Sequence, residues 1–527
     1  MSESEGKSQT HLIYIITDGA PDRSPPDQHR PPPRPEYFKV YRPPMLDIPS
    51  SSQALVGHSE RTNWSDLVEW SVEVDFLVAK KKSGQTYTAE ADGHTRWACP
   101  AAESDPTAAC VEHCAEHLAR TLMSKPCVQG AVAYKNDSAA PDDLAFTIEK
   151  PVKGEEPSGG DHRMAYWLFT PARNAIATSS SPEDYDWVGV RLRCPYTSLL
   201  SILPGDRYGD QDLGRGTAQA GMAPISPFRG KIEMETVLGL LRADIKIHSN
   251  STCQLRVYMS LQHEGFDLTD AKKALTLIWL LEPELLLALR PDTKDPKLSH
   301  YVPITEPSNI AMRPSKFLQE GSLHQDERER TLALSRLEFP VEAEIMDNYI
   351  PQLKNQLLQE RIHMIWSAVT LPELSGMLKN TAGEMTVALD LAPDTKPKLV
   401  FRYGLWHPQR EAMQYWLHLF GRLFLFAVAS DAKRFRTAVT SIEEKIAEVE
   451  RMEPKDRMGA MLTHSFDHAL SHYWNALKRA EQSGGCLSTT ALDGQGIMEV
   501  GSAGNYAVDS ESSSSSSSNE GLWLRRS

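Results

Sequence analysis

The run Trp70-Ser71-Val72-Glu73-Val74-Asp75-Phe76-Leu77-Val78 decides how the rest of the chain is read. Val72, Val74 and Phe76 fall on one side of an extended backbone, and Glu73 and Asp75 fall on the other. That is the two-residue period of a half-buried strand. Three further segments repeat it. Asp186 to Cys194 sets Val188, Val190 and Leu192 against Gly189, Arg191 and Arg193, and Pro195 stops the run. Gln254 to Leu261 sets Leu255, Val257 and Met259 against Arg256, Tyr258 and Ser260, and the extended run at 397 to 403 carries Lys398, Val400 and Arg402 on one side. In an antiparallel sheet the apolar side packs under helices and the polar side faces a cleft. The expected fold class is therefore α+β: an antiparallel sheet with a polar cleft face, helices on its other face, and further helices at the C-terminal end.

Outward from these strands, helical spacing predicts a broadly apolar, buried helix from Thr269 to Leu289, ended by Pro291. Shorter helices are expected at 108 to 123, 229 to 243, 347 to 366 and 371 to 380. Extended segments are expected on either side of an Asn250-Ser251 turn, and paired extended runs at 384 to 391 and 397 to 403. Pro408 precedes a long aromatic helix, Arg410 to Ser430, followed by helices at 431 to 452 and 456 to 482. The stretch from 128 to 176 reads as mixed, with a loop at Pro151 to Gly160, and 292 to 340 reads as a long loop. Cys110, His113, Cys114 and His117 share one predicted helix. One helix cannot present four ligands tetrahedrally, so they are read as part of an ordinary amphipathic helix and not as a zinc site.

The 527 residues are 40% hydrophobic and 24% charged, which suits a globular core. Both ends depart from it. A Pro-rich head, 1 to 62, and a Ser-rich tail, 483 to 527 with Ser512 to Ser518 unbroken, are expected to be disordered. Between them lie a main domain at 64 to 430 and a helical extension at 431 to 482. In the head, Arg30-Pro31-Pro32-Pro33-Arg34-Pro35 suits a polyproline II docking segment for an SH3-like partner. A formal charge of −14 argues against nucleic acid as a partner. No apolar run approaches the roughly 18 residues needed to cross a bilayer, and no targeting signal is visible, so a cytoplasmic protein is expected. Seven scattered cysteines imply reduced thiols, and the sequons at Asn63, Asn136 and Asn250 are read as coincidental.

Glu73 and Asp75, two carboxylates at i, i+2, are the residues on which a hard cation such as Mg²⁺ would sit. With Asp186-Trp187-Val188-Gly189-Val190-Arg191-Leu192-Arg193-Cys194-Pro195, Asn250-Ser251-Thr252-Cys253-Gln254-Leu255-Arg256-Val257-Tyr258, Trp279-Leu280-Leu281-Glu282-Pro283, and Phe401-Arg402-Tyr403 followed by Trp406-His407-Pro408, the opening strand resembles the fungal and bacterial amidoligases. These belong to the carboxylate-amine ligase superfamily. The likeness covers roughly 64 to 430. It implies a glutamine-synthetase-like fold, ATP and Mg²⁺ as cofactors, and amide or isopeptide formation through an acyl phosphate.

Departures from the family pattern redirect that expectation. Glu-x-Glu reads Glu73-Val74-Asp75 here. A family glutamate is replaced by Arg191, the His-x-His strand reads Arg256-Val257-Tyr258, and Glu-Phe-Arg reads Val400-Phe401-Arg402. Four arginines then face two carboxylates. Arg191, Arg256 and Arg402 are the expected catalytic-position residues, Arg193, Arg402 and Lys398 the nucleotide-binding ones, and Glu73 and Asp75 the metal pair. The expected function is a degenerate amidoligase that binds an anion or nucleotide, with a nucleotide or an acidic small molecule or peptide as its ligand. Two alternatives stand beside it: an active but altered ligase, and an interaction scaffold using the two ends. Trp279, Trp366 and Trp416 read as core. Cys194 and Cys253 lie near the cleft with no histidine placed to activate them, and His407 reads as an ordinary loop histidine.

Overall fold

In a computed structural model, which describes residues 68–87, 96–122, 131–134, 144–147, 167–198, 233–262, 265–290, 301–312, 348–380, 384–392, 396–406, 412–466, 468–482, 492–493 and 496–498, Val68–Lys81 forms a long central strand, β1. Its first twelve residues are all buried, on both faces. β5 (Tyr185–Arg193) runs antiparallel along one edge and β8 (Gln254–Leu261) along the other. Beyond β8 lie β12 (Lys398–Leu405) and β11 (Val387–Asp390), both antiparallel. Beyond β5 come β4 (Trp167–Pro171), β2 (Ala131–Tyr134) and β3 (Leu144–Thr147). The two-residue strands β6 (Thr197–Ser198) and β7 (Ile247–His248) also pair with β1, completing a ten-stranded sheet. The β2–β4 pair alone is parallel among these pairings, so the mixed, mostly antiparallel α+β class is as expected.

The four alternating segments all become strands. β2, β3 and β4, in the stretch read as mixed, do not announce themselves, because runs of four or five residues are too short for a two-residue period to register. β9 (Tyr301–Val302) lies in the stretch read as a loop and pairs in parallel with β10 (Glu384–Met385). Gly189 on β5 lies beneath the Ala172–Ala175 crossing. A β-carbon there would come within 2.1 Å of the Ala172 carbonyl oxygen and 2.6 Å of that of Ala175.

Helices cover the apolar face. α1 (Pro106–Leu122) packs on β2, β4 and β5, and α2 (Glu233–Asp244) packs on α1. The buried helix predicted from Thr269 is α3 (Leu268–Leu281), N-capped by Asp267. It continues through a π turn at Glu282–Leu286, where Pro283 supplies no backbone donor, and ends at Leu287–Leu289. α4 (Asn309–Met312), α5 (Gln356–Ser367) and α6 (Leu371–Leu378) follow, and α7 (Ala412–Ala429) packs on α3, β8 and β12.

α8 (Ala432–Val449) contributes Phe435, Val439 and Ile442 to the same core, so the helices expected as an extension at 431 to 482 are built into the main body. The helix expected at 456 to 482 is two, α9 (Pro454–Ser465) and α10 (His468–Gln482), with Phe466 extended between them. Residues 492–493 and 496–498, placed by sequence in the tail, lie on the sheet: Met498 donates its N–H to the Ile247 carbonyl at 2.8 Å. The Pro-rich head, Ser512 to Ser518, Pro151 to Gly160, Asn63, Asn136 and His407 lie outside the described residues. Cys110 and Cys114 of α1 face the core, whereas His113 stacks on Trp97 with ring centres 3.7 Å apart and His117 meets Asp244 at 3.3 Å. That division is the amphipathic helix read from sequence. Trp279, Trp366 and Trp416 are core residues, also as read. No helix among the described residues is long and apolar enough to cross a membrane.

Candidate functional site

Residues directly opposite one another in an antiparallel pair project to the same face. Glu73 lies opposite Arg193 on β5 and Arg256 on β8, and Asp75 lies opposite Arg191. One register therefore places two carboxylates among three guanidinium groups. Arg256 grips Asp75 with both arms, Nη1 to Oδ1 at 2.9 Å and Nη2 to Oδ2 at 3.1 Å, while its Nη1 also reaches Glu73 Oε2 at 3.3 Å. Arg191 Nε donates to Asp75 Oδ1 at 2.8 Å and stands 3.7 Å from Glu73 Oε2. The Tyr258 hydroxyl donates to that same Glu73 oxygen at 2.9 Å.

The remaining predicted cations lie around this knot. Arg193 stacks over the Tyr258 ring at 5.8 Å. Arg402 lies over the Tyr301 ring at 5.3 Å, and Arg256 lies over the same ring at 5.7 Å. Arg402 also donates to the Met385 carbonyl and meets Glu384 at 3.5 Å. Lys398, only 1% exposed, lies over Tyr196 at 5.5 Å. Arg191 and Arg256 thus touch the acids, Arg193 packs on the Tyr258 ring whose hydroxyl reaches Glu73, Arg402 shares the Tyr301 ring with Arg256, and Lys398 is buried against Tyr196.

An open cleft was expected on this face, and the structure corrects that. Asp75 is 0% exposed, Arg256 3% and Glu73 8%. Tyr301 closes the face. It comes from the stretch read as a loop, and it owes its place to the β9–β10 pairing between segments far apart in sequence. Tyr196 and Glu384 were likewise not singled out from sequence.

Burial at this depth penalises charge unless charge is met by charge. Burial alone would push the Asp75 carboxyl up. The Arg256 and Arg191 charges, with their hydrogen bonds, outweigh it and hold Asp75 below the usual carboxylate range. Burial also acts to lower the Arg191 and Arg256 values, and Asp75 and its neighbours reverse that, leaving both raised. Tyr258 is raised by burial and then by Glu73, which keeps it a neutral donor. Burial pushes the Cys194 thiol up to about 11 and Cys253 up to about 12, so neither is an activated nucleophile.

This donor set does not fit a divalent cation held between Glu73 and Asp75. Both Asp75 oxygens and one Glu73 oxygen already accept from guanidinium or phenol donors, and Mg²⁺ needs carboxylate oxygens that point at it. Among the described residues, no group of three or more His, Cys, Asp or Glu side chains is arranged to hold a metal. Compared with protein-family models, with curated proteins and with solved structures, the chain matches none. The amidoligase resemblance accordingly rests on its five short motifs.

Proposed function

We propose that this chain is an amidoligase-like protein of the glutamine-synthetase-like type in which metal-dependent ligation has been lost and an acidic ligand is bound by guanidinium groups. That ligand would be a nucleotide, or a small molecule or peptide carrying carboxylates. The observation that carries the reading is the two-armed grip of Arg256 on Asp75, flanked by Arg191: fixed cations stand beside the acids that would otherwise hold Mg²⁺. Close opposite charges are worth ~4 kcal/mol at an effective dielectric of 20, enough to decide which cation occupies such a place. The mostly antiparallel sheet with helices on its apolar face supports the fold reading.

The margin offers the anion a way in. Arg191 and Arg402 are the more exposed guanidinium groups, with side chains 17% and 19% accessible. An arginine suits phosphate and carboxylate alike because its planar fork matches both. Titrating the full chain with a fluorescent ATP analogue, with and without Mg²⁺, tests the reading. The expected result is saturable binding of equal strength in both, weakened by Arg402→Ala, with no ATP hydrolysis. Mg²⁺-dependent turnover that disappears in Glu73→Ala would overturn it.

A further inference from the structure

The face that carries Asp75 continues along β1 to Leu77, whose partner on β7 is His248. Around that imidazole a second polar group forms, and it is built without an ion pair to the ring. His248 and Ser181 are both buried. The Ser181 hydroxyl lies 3.0 Å from His248 Nε2, and His248 Nδ1 lies 2.7 Å from the Gly496 carbonyl oxygen. A carbonyl oxygen can accept and cannot donate, so Nδ1 carries the proton and Nε2 presents its lone pair to Ser181. Burial pushes the imidazole down, against smaller upward pulls from the Gly496 carbonyl and Asp493, which keeps it in the neutral form of a base.

The Ser181 oxygen also receives N–H groups. Thr178 donates its backbone N–H at 3.0 Å, and Asn250 Nδ2 approaches at 3.3 Å while also donating to the Ile176 carbonyl at 2.8 Å. A hydroxyl that gives its proton to an imidazole while accepting from N–H donors is polarised toward alkoxide. The turn at 178–181 needs the Thr178 bond; the imidazole of fixed tautomer is additional.

The carbonyl that orients the imidazole is itself anchored. The Asp493 carboxylate accepts from the Ser251 N–H at 2.6 Å and from its hydroxyl at 3.1 Å, and Arg96 donates to the Met498 carbonyl at 2.6 Å. Nearby lies a cavity of about 350 Å³, lined by Pro171, Ala172 and Val188 together with Lys80, Arg173 and Asp186, but by neither Ser181 nor His248. Trp187 belongs to both: its ring lies 5.0 Å from that of His248, and its Nε1 donates to the Pro182 carbonyl next to Ser181.

We propose that Ser181 is a nucleophile toward small carboxylic esters, with His248 as its general base and the Gly496 carbonyl orienting the imidazole. Ser181 Oγ bonds to the acyl carbon as its proton passes to His248 Nε2. The C–O bond to the leaving alcohol breaks, and the imidazolium protonates that alcohol. Water then attacks the acyl-serine, gives its proton to Nε2, and the acid departs as Ser181 recovers the proton.

The test exposes the intact chain to an alkyl fluorophosphonate, in which Ser181 Oγ would bond to phosphorus and expel fluoride. The modified residue is mapped by peptide mass spectrometry, and p-nitrophenol release from p-nitrophenyl acetate is followed in parallel. Modification mapped to Ser181 is expected, with both signals lost in Ser181→Ala and slowed by about 10²- to 10⁴-fold in His248→Gln. A folded wild-type chain left unmodified at Ser181, or modified equally fast in His248→Gln, would overturn the proposal. Where a variant fails to fold by circular dichroism, the wild-type map decides, because a purely structural serine stays unmodified.

Discussion

Two polar groups share one face of the sheet, neighbours along β1, and they solve burial differently. Around Asp75 full charges meet full charges: two guanidinium groups close on one carboxylate. Around His248 a neutral imidazole, a hydroxyl and a backbone carbonyl pass hydrogen bonds in a chain. The first arrangement locks each proton in place, because moving one leaves a bare charge in a low-dielectric interior. The second leaves the Ser181 proton shared with the Nε2 lone pair of His248. Rigid ion pairing suits holding strands in register and offering fixed cations to an anion, whereas a neutral relay suits proton transfer.

The most severe way to break the charged group is Asp75→Ala. It strips Arg191 and Arg256 of their shared partner while leaving both buried, and a loss of about 3–5 kcal/mol is expected, measured by denaturant unfolding. Sharpening comes from a cycle of Asp75→Leu and Arg256→Met. The double variant should recover ~0.5–3 kcal/mol relative to the sum of the singles, since each single removes one side of the two-armed pair, whereas the double removes both and leaves Arg191 to Glu73. Simple additivity would mean that the two side chains act independently.

A smaller effect is expected from Tyr258→Phe, ~1 kcal/mol, because Glu73 Oε2 keeps Arg256 when the phenol is removed. The Ser181→Ala substitution should cost a similar ~1 kcal/mol in a neutral network, well below Asp75→Ala.

Acid should separate the two groups by window. The folded Asp75 value lies below 3.8, so its contribution is complete above pH 3.8 and disappears as pH falls through the lower folded value. The folded His248 value lies below 6.5, so the unfolded chain takes up that proton first, and the stability of its neutral form declines as pH falls below 6.5. A melting series from pH 7 downward should therefore show the histidine step before the carboxylate step, and His248→Gln should shrink the earlier one without abolishing it, because burial also holds His113, His418 and His464 below 6.5.

What could be read in advance differs between these groups for a physical reason. Alternation along each strand is local, so the side of its own strand taken by Glu73, Asp75, Arg191, Arg193, Arg256, Lys398 and Arg402 was visible in residue order alone. The His248 group joins the 178–181 turn, the short strand β7 and a segment assigned to the tail, and no residue pattern links the three. Tyr301 escaped for the same reason: a two-residue strand carries no period. The polar cleft was misjudged as open because polarity on a strand shows which way a side chain points and says nothing about what later chain folds across it.

By itself, the amino-acid order determined the alternating strands, the apolar helices that cover them and the side of each strand on which its acids or guanidinium groups lie. These follow from the two-residue and 3.6-residue periods of the backbone. The tertiary structure alone decided that Arg256 would grip Asp75 with both arms, that Tyr301 would close the face, and that Gly496 would orient His248. Each depends on register or on contact between distant segments, and neither is encoded in the residues next door.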